Sequence, residues 1–189
     1  MKRFTLLVIT LVFTILVIVI LIIYYPKEIN INAQGIKYGY GTEIVESEKL
    51  VNVQIEGKLY KSITGKRKFE GTIDIEGEEL PVPLDQRKLT ILISDEGAGV
   101  INYPYFTYRK DNGATNGSHT YYYGTLVINR NFTNATIFVG NHSEIKDNRG
   151  TAWNSVSGQV ITVPSSSRAE AIHITNELAG NYLRGLKLK

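Results

Sequence analysis

From Leu50 onward the chain alternates apolar and polar residues with period two, the pattern of strands that bury one face. Val51, Val53 and Ile55 alternate with Asn52, Gln54 and Glu56. Phe69, Gly71, Ile73 and Ile75 alternate with Glu70, Thr72, Asp74 and Glu76. Ile63 to Lys68, with Gly65-Lys66-Arg67-Lys68, reads as the hairpin connection between them, and Glu76-Gly77-Glu78 as a turn. Pro81 and Pro83 keep the next stretch out of a central strand. Leu89, Ile91 and Ile93 form a further strand that stops at Asp95-Glu96-Gly97-Ala98-Gly99. Val100 to Tyr108 and Tyr121 to Asn129 pair across a Gly/Asn-rich loop. Ala135 to Val139 and Val160 to Val163 complete the set. Trp153 is the one aromatic residue of the apolar kind in the polar segment Asn141 to Gly158, and is expected to plug the core beneath a loop.

Near the end the period changes. Ser167-Arg168-Ala169-Glu170 has capping-box spacing, and Ala171, Ile174, Leu178 and Tyr182 share one helical face. Gly180 ends or weakens that helix. The fold class predicted is mainly β, a β-sandwich or antiparallel sheet, with one C-terminal α-helix near 167–184.

The N-terminus follows neither rhythm. Phe4 to Tyr25 carries no charge, its polar side chains before the tyrosine pair being Thr5, Thr10 and Thr14, whose hydroxyls can bond preceding carbonyls. A helix of this length reaches roughly 33 Å, enough for a hydrocarbon core of about 30 Å. A cleaved secretory signal fits less well, because the run ends in Tyr24-Tyr25-Pro26 and Ile31 stands where a small residue should precede Ala33. The expectation is one N-terminal transmembrane signal-anchor helix at 4–25, in contact with the lipid bilayer. Lys2 and Arg3 before it place a cytoplasmic tail at 1–3. A membrane-proximal connector at 26–42, with a strand at Ile29 to Ala33, then leads to an extracytoplasmic β-rich domain at 43–189. The expected location is the cell membrane, single-pass, with the C-terminal domain outside.

Composition narrows the chemistry. The absence of cysteine excludes disulfides, thiolate metal sites, cysteine nucleophiles and a lipidated cysteine. A domain of about 160 residues can hold together by its core alone. Setting Lys2 and Arg3 aside from the 21 basic residues leaves 19 against 18 acidic. This near neutrality implies no nucleic-acid partner.

Candidate catalytic groups are scattered. His119, His142 and His173 lack HxH or HExxH spacing, so no metal site and no cofactor is implied. His119 and His142, on loop edges, are the better general-base candidates, each needing a positioned partner. No GxSxG elbow marks a serine nucleophile, and neither Ser47 nor Ser62 has a lysine three residues on to make SxxK. Asp74, Glu76, Glu78, Glu79, Asp85, Asp95 and Glu96 could include a glycosidase pair, or simply form solvated strand faces.

Tyrosine carries the stronger signal. Tyr103, Tyr105 and Tyr108 face Tyr121, Tyr122 and Tyr123 across one hairpin, which is expected either to pack the sheet or to present a ligand or partner surface. Asn116, Asn131, Asn134 and Asn141 begin N-x-S/T triplets, acceptors for glycans in a eukaryotic secretory setting and turn-formers in a bacterium.

The layout, together with Phe69-Glu70-Gly71-Thr72-Ile73-Asp74-Ile75-Glu76-Gly77, resembles uncharacterised single-pass membrane-anchored extracytoplasmic proteins of Gram-positive bacilli. That resemblance covers the anchor and the first third of the domain; it implies a bacterial cell-envelope setting and no activity. The leading functional expectation is a membrane-tethered, non-catalytic β-domain binding an envelope polymer or a membrane-protein partner. The alternatives are an envelope hydrolase using His119 or His142 with a carboxylate, and an assembly factor acting through the membrane helix.

Overall fold

A computed structural model describes residues 2–40, 48–141, 153–155 and 157–189, with the side chains of 2 and 20–23 outside that description. The elements run α1 (Lys2–Tyr24), β1 (Lys27–Gly39), β2 (Glu48–Lys61), β3 (Arg67–Ile75), β4 (Leu89–Ile93), β5 (Ala98–Tyr108), β6 (Thr115–Ile128), β7 (Ala135–Val139), β8 (Gln159–Val163) and α2 (Arg168–Ala179). A single 3-10 turn, Leu84–Gln86, lies between β3 and β4. Ser47, His142 and most of the polar segment 141–158 lie outside the described residues.

All pairings are antiparallel, in the order β4-β3-β2-β1-β8-β7-β6-β5. Two four-stranded meanders, β1 to β4 and β5 to β8, therefore join along β1 and β8, where Ile36 to Gly39 pair with Thr162 to Gln159. At the far ends β4 and β5 come side by side, so the sheet curls into a nearly closed barrel. This replaces the sandwich alternative. Both seams use a glycine for close approach: a Cβ on Gly35 would stand 2.6 Å from the Thr162 carbonyl oxygen, and one on Gly99 2.4 Å from Ile91.

Alternation supplies the interior. Val53, Ile55, Phe69, Ile73, Ile91, Ile101, Leu126, Ile137 and Ile161 point inward and form one buried cluster. A second cluster lies outside the barrel wall, where Ile36, Tyr38, Val127, Phe138 and Val160 are covered by Ala171 and Ala179 of α2 and by Leu188. Trp153 packs there, its ring 5.0 Å from that of Phe138 and 6.1 Å from that of Tyr40. Under α2 sits a buried hydroxyl network: Thr175 Oγ1 accepts from the Tyr38 hydroxyl at 2.9 Å and lies 2.7 Å from Thr162 and 3.2 Å from Thr136.

The cap of α2 differs from the expected box by one residue. Ser167 Oγ accepts from the Glu170 amide, while the Glu170 carboxylate reaches back to the Ser166 amide and hydroxyl. Those bonds hold the Glu170 pKa below its ordinary value. The helix stops at Ala179, short of 184.

The N-terminal segment is helical, with Thr10 and Thr14 donating to the carbonyls of Leu6 and Thr10. Among the described residues, however, no helix is long and apolar enough to cross a membrane. The spanning reading of 4–25 is corrected accordingly, and with it the single-pass cell-membrane location. The apolar side chains from Phe4 to Val19 that the structure describes are exposed.

Replacing Thr175 with valine keeps the shape but strips a partner from the Tyr38, Thr136 and Thr162 hydroxyls. Urea unfolding of the full chain is expected to show a loss of about 1–3 kcal/mol. His173→Ala, on the exposed face of the same helix, is expected to cost less than about 0.5 kcal/mol.

Candidate functional site

The barrel wall has a gap beside the end of β3. β2 pairs with β3 as far as Ile75, but β4 pairs with β3 only from Arg67 to Gly71. The end of β3 therefore has a strand on one side only. The connection from β3 to β4 folds back beside it, burying Val82 in the interior cluster. Arg87 fastens that connection from within, its guanidinium donating to the Val82 carbonyl at 3.0 Å and the Leu80 carbonyl at 3.3 Å. Gln86 ties it to β5: its side-chain amide accepts from the Phe106 N–H at 2.7 Å and donates to the Phe106 carbonyl at 3.1 Å.

A cavity of about 300 Å³ lies at this gap. Its lining includes residues from both faces of β3, Ile73 and Ile75 from the inward row and Asp74 from the outward row, with Glu76 just past the strand, as expected of an opening at a strand edge. Asn32, Gln54 and Asp74 form one cross-strand row over β1, β2 and β3. Tyr103 and Tyr123 close the inner side, and Glu78, Leu80 and Arg87 come from the connection.

The electrostatics follow from burial. Glu78 bridges the Tyr123 hydroxyl, which donates to it at 3.2 Å, and the Lys37 ammonium at 2.5 Å. Burial pushes the Tyr123 phenol well above its ordinary value, and the Glu78 charge pushes it the same way. Burial also raises Tyr103, with the Asp74 carboxylate adding and Arg87 opposing. Tyr121 is raised by burial and then by Glu78. These phenols keep their protons at neutral pH and serve as hydrogen-bond groups on an apolar ring. Three carboxylates, Asp74, Glu76 and Glu78, face one guanidinium, so the cavity is net acidic.

The six tyrosines expected as a surface divide by facing. Tyr103, Tyr105, Tyr121 and Tyr123 are buried inside the barrel, Tyr122 is half-buried on the outer face, and Tyr108 is exposed. Two of them, Tyr103 and Tyr123, meet the cavity. His119 stands away from it: its ring stacks on Tyr105 at 5.1 Å and its Nε2 lies 3.4 Å from the Thr107 hydroxyl. Among the described residues no cluster of His, Asp and Glu could hold a metal ion. Arg87 and Lys37 were not singled out by sequence; the one signal was that Arg87 follows a proline-broken stretch that cannot form a strand.

The raised phenols make stability pH-dependent in one direction. The folded chain binds these protons more tightly than the unfolded chain, so their contribution is full below the ordinary phenol value of 10.0 and is lost as pH rises beyond it. Ultraviolet titration is expected to show tyrosinate from Tyr103 and Tyr123 appearing together with loss of far-ultraviolet circular dichroism. Ionisation of all tyrosines before any loss of structure would contradict the burial described.

Compared with known proteins, the chain matches no family model, no curated protein and no solved structure.

Proposed function

We propose that the chain is a non-catalytic binding protein whose gap-side cavity takes a small organic cation bearing hydroxyl or amide groups. The observation that carries this reading is the cavity of about 300 Å³ in which buried phenols meet an excess of carboxylate. That volume lies at the lower end of ligand cavities, suited to one small molecule. Glu78 is already neutralised by Lys37, and the Arg87 guanidinium is occupied by backbone carbonyls. Asp74 and Glu76 have no ion pair among the described residues, and Glu76 accepts from the Asn52 amide, so Asp74 is the carboxylate we assign to an incoming ammonium group. Tyr103 and Tyr123 line the same cavity, where the Tyr123 hydroxyl bonds Glu78, and Asn32 and Gln54 supply neutral donors and acceptors for hydroxyl groups.

Binding is favoured over turnover by the same groups. The phenols hold their protons far above neutrality, and Glu78 is fixed between an ammonium and a hydroxyl. Such groups orient a ligand; they are poorly matched to exchanging protons with it near pH 7.

Calorimetric titration of the full chain with amino sugars, and with the same sugars N-acetylated, tests the reading. The free amine is expected to bind at least about tenfold more tightly than its neutral counterpart, and Asp74→Asn to remove most of that preference. Equal affinity for the amine, the amide and a carboxylic-acid analogue would sink it.

A further inference from the structure

The opposite end of the barrel carries a larger cavity of about 570 Å³, and its chemistry is of the other sign. Four cations line it: Lys27 at the start of β1, Lys61 at the end of β2, Arg67 at the start of β3 and Arg130 in the turn after β6. Two carboxylates, Asp95 and Glu96 from the turn between β4 and β5, also line it. Three of the cations occupy positions that the alternation reserves for the interior. Lys27 continues the inward row of Ile29, Lys61 that of Leu59, and Arg67 that of Phe69. Lys61 and Arg67 are direct cross-strand partners, a like-charge pairing that weakens a sheet on its own.

Arg67 is the informative group. Among the described residues its buried Nη1 has no hydrogen-bond partner, and its Nη2 reaches the Ser94 carbonyl at 3.5 Å. A buried donor left unmade is costly, more so on a charged group. Burial and the neighbouring Arg130 charge both oppose its protonated form, and Asp95 offsets them in part. Lys27 donates to the Asn131 carbonyl, which leaves further ammonium protons directed elsewhere.

We propose that this basic mouth is a binding site for a phosphate-class oxyanion, either inorganic phosphate or a phosphomonoester. A tetrahedral dianion supplies the acceptor that Arg67 Nη1 lacks and neutralises the Arg67–Arg130–Lys61 crowding. A guanidinium fork matches phosphate oxygens in geometry, and the lysines add point charge. The site is independent of the acidic cavity, since the two share no lining residue.

The test is calorimetric titration of the full chain, held in mild detergent because the apolar side chains of α1 are exposed, with inorganic phosphate and with glycerol phosphate in chloride buffer. Saturable binding is expected, with Arg67→Gln weakening it by about tenfold or more. Arg130→Gln, at an exposed turn position where folding is not at risk, is expected to weaken it several-fold, whereas Asp74→Asn and Tyr103→Phe leave it unchanged. Tighter binding of glycerol phosphate identifies a phosphomonoester as the ligand; equal binding identifies the free ion. The proposal is overturned if neither compound saturates the folded protein, if acetate binds as tightly as phosphate, or if Arg130→Gln leaves the affinity intact.

Discussion

Backbone pairing between Ile36–Gly39 and Gln159–Thr162 is the contact on which the rest of the structure depends. Without it the chain is two separate four-stranded meanders, and the apolar inner face of each has nothing to cover it. With it, the inner faces meet and bury Phe69 against Phe132, whose rings lie 5.3 Å apart, and Ile55 within the same cluster as Ile137. β8 is only five residues long, so its few hydrogen bonds need support. The support comes from outside the barrel, where α2 lies over Tyr38, Thr136 and Thr162 and bonds all three through Thr175. A helix near the end of the chain thus fastens the first strand to the last.

Closure also determines where polar groups can go. Side chains at the middle of an eight-stranded barrel fill it, so openings survive only at the ends or at a defect in the wall. Here the defect is the shortness of β4, and the acidic cavity forms beside it. The basic cavity forms at the end where inward-facing positions run out of barrel and reach water. The two have opposite sign because different elements build them: an excess of carboxylates from β3 and its following turn in one, and the ends of β1, β2 and β3 in the other. A chain close to neutral overall is therefore strongly uneven in charge.

Much of the strand content was legible. Ala135–Val139 matches the observed β7 residue for residue, and the alternation at Val51 to Ile55 and Phe69 to Ile75 gave the inward face correctly. β1 was under-read because its pattern changes phase: Ile29 is buried in the barrel, whereas Ile36 and Tyr38 are buried on the other face under α2. A single period-two template follows the first half and loses the second. The pairing of β1 with β8 was invisible for a different reason. Periodicity reports which way a residue points and carries nothing about which strand lies beside it. The tyrosines show the same limit, since the hairpin reading set Tyr103, Tyr105 and Tyr108 against Tyr121, Tyr122 and Tyr123 without saying that Tyr103, Tyr105, Tyr121 and Tyr123 point into the interior. The cavity was harder still to foresee, because Glu78 and Arg87 come from a connection without period.

The bond between Gln86 and Phe106 has a consequence for the molecule among its neighbours. Where a wall strand lacks a partner, its free N–H and C=O form a template on which a strand from another molecule can add. At Phe106 both groups are taken by one side-chain amide, arranged as a neighbouring strand's backbone would be. One glutamine therefore does at this edge what a longer β4 would do, keeping the seam from propagating the sheet into a second copy while leaving the wall beside it open to solutes.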